Sequence, residues 1–172
     1  MNNLINILKK IIDIVGNLCS LLMVLMILNV FYDVVLRYFF HDVSIAMQEL
    51  EWHLFAAMFM FGIGYSLKED AHVRVDVFYD RFSEKRKAII NLVGSIVLAL
   101  PFSLLLIYFS VGYAYEAYSI GEGSGDPGGL PHRWIIRSVI PVSSIFLIVC
   151  IVHVILTQIQ NLASKPTLIE GK

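Results

Sequence analysis

Charged residues are scarce in this sequence. Only 16% of the 172 residues are Asp, Glu, Lys or Arg, whereas soluble domains usually carry about 25%. Hydrophobic residues make up 58% of the chain, and the mean hydropathy is +0.74. A net charge of −1 also argues against a nucleic-acid partner, which would call for a basic surface. The composition therefore predicts an integral membrane protein.

Cysteine is almost absent as well. Cys19 and Cys150 each lie inside an apolar run and show no metal-type spacing, so we predict that both are small apolar packing residues. The one glycine-rich stretch, GEGSGDPGGLP, lacks the flanking strand and the Gly-x-Gly spacing of a phosphate-binding loop. We expect no metal, no cofactor and no catalytic residue in this chain.

Four long apolar stretches remain, and each suits a membrane span of about 20 residues. The predicted fold is all-α, with four transmembrane helices preceded by an interfacial amphipathic helix over residues 1–13, which we prefer to a cleaved signal peptide. The glycine-rich composition after residue 113 argues against a further regular element there. The predicted spans are 14–36, 49–67, 88–113 and 135–157, and they are joined or followed by a loop at 68–87, a glycine-rich loop at 114–134 and a tail at 158–172.

Basic residues are distributed unevenly between the two sides of this four-helix membrane domain, 14–157. Six of the thirteen lie in the loop 68–87, and the positive-inside rule keeps such a short loop in the cytoplasm. With both termini included, ten lie on that side, and only Arg37, Arg133 and Arg137 lie on the other. Both termini are therefore predicted to be cytoplasmic, and the loop 114–134 to face outward.

Asn29, Asp33 and Arg37 follow one another at intervals of four near the end of the first span, so they share one helical face. An ion pair between Asp33 and Arg37 would mark a helix contact or a transport pathway. Alternatively, both side chains extend to the lipid headgroups. The sequence leaves both readings open.

Two kinds of residue predict how the helices pack. Small residues of the second span permit the close approach of a neighbouring helix. Pro101 predicts a kink in the third span, with the freed backbone groups satisfied by neighbours such as Ser103 or by an adjacent helix. The small residues are Ala56, Ala57, Gly62 and Gly64.

Four short motifs carry a resemblance to a known family. They are NVFYDVVLRYFF at the end of the first span, ELEW at the start of the second, HVRVD at 72–76, and PHRW before the fourth. In this order and spacing, over residues 10–160, the chain resembles the small permease subunit of tripartite ATP-independent periplasmic (TRAP) transporters. The positions that match the family motifs are Arg37, Glu49, Trp52, His72, Asp76 and Trp134. For these and for Asp33 we expect structural or partner-interface roles.

The resemblance implies a secondary, sodium-coupled transporter of small organic anions such as carboxylates, in the bacterial inner membrane. In that family a large multispan subunit carries the substrate and sodium sites, and a soluble periplasmic protein delivers the anion. The small subunit braces the large one. The implied partners are these two proteins and membrane lipids, and no substrate site is expected in this chain.

Two other classes of function stay open. A haem-binding membrane anchor would use His53 and His153, but their predicted positions differ by roughly 20 Å along the membrane normal, which is too far for one haem. A self-sufficient four-span exporter working as a homodimer would need a carboxylate near the middle of the bilayer, and Asp33 lies closer to the outer end.

Overall fold

Four long helices make up the part of the chain that the structure describes. The computed structural model describes residues 1–69, 79 and 81–163, and every regular element within these ranges is helical. Glu49 near the start of α2 contacts Leu130, and Asn2 at the start of α1 contacts Gln160 near the end of α4, so the helices run alternately up and down. The helices are α1 (Asn2–Phe40), α2 (Ile45–Lys68), α3 (Glu84–Ser119) and α4 (Trp134–Ala163).

We name the two ends of the bundle by what they contain. The loop end holds the connections 41–44 and 120–133, and the terminal end holds the start of α1 and the end of α4. The largest interfaces join α1 with α2, α2 with α4, and α3 with α4. Helix α4 contacts each of the others and has the most buried side chains, so it forms the centre of the bundle.

Helices α1, α3 and α4 are long and apolar enough to cross a membrane. Helix α2 has 24 residues, which at about 1.5 Å per residue gives a length of roughly 36 Å, enough for a hydrocarbon core of about 30 Å. Its first turns, however, carry Glu49, Glu51 and His53, which lower its hydropathy. Three candidate spans are thus established by length and composition, and the fourth stays a prediction.

The helices extend beyond several of the predicted span boundaries, and at two places this changes the description of the fold. Helix α1 continues without a break through residues 13 and 14, so the segment 1–13 is the first part of α1, and its position at the membrane surface stays a prediction. The prediction that no regular element follows residue 113 is wrong for 114–119, because α3 ends only at Ser119. The stretch AYEAYS contains neither glycine nor proline, and the first glycine is Gly121, whose φ is 62°.

Helix α3 contains a π-helical segment, Ser95–Ala99, immediately before Pro101. Proline lacks a backbone N–H and its ring crowds the preceding turn, so it disturbs the regular helical hydrogen bonds at this point. The hydroxyl of Ser103 donates a 2.7 Å hydrogen bond to the carbonyl oxygen of Ala99. The predicted irregularity at Pro101 therefore takes the form of a π-helical turn, and Ser103 bonds to the backbone beside it.

Close approach of α2 to its two neighbours depends on glycine. A Cβ atom on Gly16 of α1 would lie 2.5 Å from Cδ2 of Tyr65, and a Cβ atom on Gly64 would lie 2.8 Å from Cε1 of Phe146 in α4. Without water to drive association, helices in lipid gain from the packing contacts that small residues allow. The predicted role of Gly64 in helix packing is confirmed.

The core on the terminal side is apolar. Ile12 of α1 and Phe146 and Cys150 of α4 are buried together, with Phe61 and Tyr65 of α2 packed against them. Cys150 is a free thiol with no exposed surface, as expected for a packing residue. This cluster joins α1, α2 and α4 at one level of the bundle.

The buried residues of α3, which packs on α4, are all small. Where serine is used, its hydroxyl bonds to a carbonyl oxygen of its own helix, as Ser110 does to Leu106 and Ser144 does to Ile140. This satisfies the hydroxyl within one helix while keeping the side chain short, so the two backbones can approach. The buried serine and alanine residues are Ala88, Ser95, Ser103, Ser110, Ala114 and Ala117 of α3 and Ser143 and Ser144 of α4.

Replacement of Gly64 by leucine should destabilise the bundle, because the new side chain would push Phe146 and α4 away. Overpacking of this kind costs about 1–3 kcal/mol. Gly62→Leu is the matched control, since a Cβ atom on Gly62 of the same helix would meet nothing within 4 Å. Thermal unfolding of the detergent-solubilised chain should show a lower midpoint for Gly64→Leu alone, and equal midpoints for the two variants would contradict this packing.

Candidate partner-interaction site at the loop end

Five of the seven residues singled out in the sequence lie at or near the loop end. Asp33 and Arg37 are in the last turns of α1, Glu49 and Trp52 are in the first turns of α2, and Trp134 begins α4. The structure thus brings together side chains that lie up to about a hundred positions apart in the chain. His72 and Asp76 lie outside the described residues.

The predicted pair on α1 forms. Nη2 of Arg37 lies 2.5 Å from Oδ2 of Asp33, whose side chain is buried, whereas the Arg37 side chain is 43% exposed. One turn earlier, Nδ2 of Asn29 donates a 2.9 Å hydrogen bond to the carbonyl oxygen of Met47 in α2. Asp33 therefore packs inside the chain on the face that meets the start of α2, and Arg37 extends outward.

Glu49 holds the loop between α3 and α4. Its carboxylate is buried, accepts a hydrogen bond from the hydroxyl of Ser124, and accepts a second, 2.6 Å bond from the backbone N–H of Leu130. Gly129 permits this approach, because a Cβ atom there would lie 2.8 Å from Oε2 of Glu49. Hydrogen bonds to an ionised acceptor are about twice as strong as neutral ones. The glycine-rich loop is therefore fixed on α2.

A second acid bonds the loop to α4. Oε1 of Glu122 lies 2.5 Å from Nη2 of Arg137, and both side chains are mostly buried. The carbonyl oxygen of Glu122 also accepts a 2.8 Å hydrogen bond from the N–H of Arg133. Both ends of the glycine-rich segment are thus closed by charged or backbone contacts, despite a composition typical of flexible loops.

Aromatic rings surround these polar groups. The Trp134 ring contacts Tyr118 edge to face, with centroids 5.5 Å apart. The Arg137 guanidinium carbon lies 4.1 Å from the centroid of Tyr113, and that of Arg133 lies 6.0 Å from the centroid of Trp52. Tryptophan and tyrosine rings are typical of the boundary between lipid tails and headgroups. The loop end accordingly has the composition of a membrane interface.

A cavity of about 350 Å³ lies between α2, α3 and α4 at this end. Arg133 and Arg137 contribute guanidinium groups to its wall, and Trp52 and Tyr113 contribute rings. The three arginines predicted to lie on the outer side are all found at the loop end, but the sequence contains no sign of the cavity. No local pattern could have revealed it, because its walls come from three helices whose relative positions are not encoded by spacing.

The two histidines considered as haem ligands lie in different environments. Nδ1 of His53 lies 2.5 Å from the carbonyl oxygen of Glu49 at the loop end. His153 is buried in α4 near the terminal end, where Nζ of Lys68 bonds to Oδ1 of Asp13 at 2.7 Å. Among the described residues, no group of three or more His, Cys, Asp or Glu side chains is placed to hold a metal ion.

Substitution of Glu49 by glutamine should loosen the loop. A neutral amide oxygen is a weaker acceptor, and a hydrogen bond to a charged group contributes about 1.5–3 kcal/mol, so the backbone amide of Leu130, which donates to Glu49, should exchange its hydrogen at least about tenfold faster. Glu51→Gln, two positions further along the same helix, is the control. Exchange measured by mass spectrometry should change only in Glu49→Gln; unchanged exchange there would mean that other contacts hold the loop.

Comparison with known families supports the resemblance. The sequence model of the family described as "Tripartite ATP-independent periplasmic transporters, DctQ component" matches residues 26–161. This range includes the loop end, the last part of α1 and nearly all of α2, α3 and α4. No curated protein matches the chain. Since the match covers most of the sequence, the chain belongs to the DctQ component family of TRAP transporters, whose members work with a large membrane subunit and a substrate-binding protein.

Proposed function

We propose that this chain is a scaffold subunit that holds the large membrane subunit of a sodium-coupled TRAP transporter for small organic anions. The observation that carries the proposal is the family match over residues 26–161. The arrangement of polar and apolar surface is consistent with it. Several ionisable side chains at both ends form ion pairs within the chain, among them Asp33, Lys68 and Arg137, whereas the sides of the bundle are apolar and exposed.

Helices α1 and α3 supply most of this apolar surface. Both lie at the edges of the bundle, and most of their residues are exposed, including Phe31 on α1 and Leu98 and Phe109 on α3. In a membrane such faces contact either lipid or the helices of another protein. A subunit with two free helical faces can pack along a larger partner and still anchor in the surrounding lipid.

The positions of the basic side chains in the bundle also support the scaffold role. Recognition of an organic anion inside a membrane calls for convergent donors near the middle of the bilayer, such as a broken helix or a basic side chain. Of the outer arginines, Arg37 is paired with Asp33, and Arg133 and Arg137 lie at the loop end. We therefore assign the substrate and the coupling ion to the large subunit.

We further propose four spans, with both termini in the cytoplasm and the loop 120–133 in the periplasm. The basic residues of 68–87 support this orientation, because the positive-inside rule retains such loops in the cytoplasm. The second span is α2, which is long enough to cross and lies between α1 and α4. The segment 1–13 would lie at the cytoplasmic surface with its polar face toward the headgroups.

Cysteine labelling in intact cells tests the orientation. In a background with Cys19→Ser and Cys150→Ala, Gly125→Cys should react with an impermeant thiol reagent, whereas Glu84→Cys should react only after the membrane is permeabilised. Both positions are exposed, and neither contacts Glu49, so the substitutions leave the loop closed. Labelling of residue 84 and protection of residue 125 would reverse the topology.

Reconstitution in proteoliposomes tests the function. Uptake of a candidate carboxylate should require this chain, the large membrane subunit and the periplasmic binding protein together, with a sodium gradient. Vesicles lacking one component at a time are the controls. Uptake by this chain alone would contradict the scaffold role and favour the homodimeric exporter, and full uptake without this chain would show that the large subunit needs no brace.

A further inference from the structure

The cavity at the loop end has two kinds of wall. Its upper part carries the guanidinium groups of Arg133 and Arg137 beside the rings of Trp52 and Tyr113. Its lower part is apolar and comes from α2 and α4. These lower residues are Ala56, Met60, Ile136, Val139 and Ile140. At about 350 Å³ the cavity is within the size range of ligand pockets, which is about 300–1,000 Å³.

Only one of the two arginines at the cavity forms an ion pair within the described residues. Arg137 is neutralised by Glu122 at 2.5 Å. Within the described ranges Arg133 forms no ion pair, and its guanidinium faces the Trp52 ring. Glu49 lies close enough for its charge to interact with that of Arg133, but its carboxylate oxygens accept hydrogen bonds from Ser124 and Leu130 instead. The wall therefore presents one guanidinium group that no described acid pairs with directly.

The apolar part extends along the helices away from the loop end. Met60 follows Trp52 by eight residues, and Ile140 follows Trp134 by six, so at about 1.5 Å per residue the cavity extends roughly 9–12 Å below the tryptophans. Tryptophans mark the headgroup level of a membrane. The arginines thus lie at the depth of lipid phosphates, and the apolar wall lies at the depth of the first carbons of the acyl chains.

We propose that this cavity binds an anionic phospholipid, with its phosphate on Arg133 and one acyl chain against the apolar wall. A phosphodiester carries one negative charge and oxygen acceptors for the Arg133 guanidinium, which has no ion-pair partner of its own among the described residues, and planar guanidinium groups recognise phosphate well. A small soluble anion would leave the apolar wall without contacts. The proposal rests on the proposed span of α2, but it holds for either orientation, because both membrane boundaries contain headgroups.

Native mass spectrometry of the purified full chain tests the proposal, with phosphatidylglycerol and phosphatidylcholine titrated separately. The wild type should retain one phosphatidylglycerol at concentrations where phosphatidylcholine binds at least about tenfold less. Arg133→Gln should lower phosphatidylglycerol binding at least about tenfold, the loss of one charged hydrogen bond. Arg133→Lys should restore most of it. Arg86→Gln, which removes an exposed positive charge at the other membrane boundary, should have no effect.

Further variants and a soluble competitor distinguish a phospholipid site from a site for free phosphate. Ala56→Leu fills the apolar wall without changing charge and should also reduce phosphatidylglycerol retention, whereas Phe55→Leu, at an exposed neighbouring position, should not. Displacement of the lipid by soluble glycerophosphate would overturn the proposal, since the site would then take a free phosphate. Equal retention by wild type and Arg133→Gln would overturn it too, as would loss of the bound lipid when the large subunit assembles.

Discussion

The packing of α2 between α1 and α4 is the constraint on which the rest of this bundle depends. Two adjacent residues set it: the ring of Tyr65 occupies the space that Gly16 leaves in α1, and Gly64 leaves space for Phe146 of α4. Helix α2 is the least apolar of the four, so it gains less from contact with lipid and more from contact with protein. Once α2 is fixed on both sides, the ends of the other helices are brought within reach of its polar termini.

Those termini have opposite roles. At the loop end, Glu49 of α2 binds the connection 120–133 and closes it against the bundle. At the terminal end, Lys68 forms ion pairs with Asp13 of α1 and with the adjacent Glu69. The middle of the bundle contains almost no charge, so the polar contacts that define the register of α2 are concentrated where water is available to assist them. This arrangement avoids the cost of a charge in hydrocarbon.

Local signals predicted the parts of this structure that local physics decides. The four apolar stretches gave four helices, and the spacing of Asp33 and Arg37 by four residues predicted an ion pair that forms at 2.5 Å. Glu49 was identified only as a motif position. Its contact with Leu130 depends on how α2, α3 and α4 are arranged, and a pattern of neighbouring residues contains no information about that arrangement.

Local composition and spacing also failed to predict the end of α3 and the cavity at the loop end. Composition placed the end of α3 six residues early, because AYEAYS is polar enough to resemble a loop, although it lacks a helix breaker before Gly121. In the sequence, Arg133 and Arg137 contribute only to the count of basic residues on each side of the membrane, which predicts the topology. Their shared cavity required the positions of Trp52 and Tyr113, which belong to two other helices.

The distance along the chain between Glu49 and its donors has a consequence for biosynthesis. Ser124 and Leu130 follow Glu49 by 75 and 81 residues, so at ribosomal rates of about 5–20 residues per second the carboxylate waits roughly 4–16 seconds for them. During that interval α2 has already left the ribosome with an unpartnered acid at one end. Because α1 is complete by then, its Gly16 and Asn29 offer α2 contacts from the start, and the glycine-rich loop closes over Glu49 last.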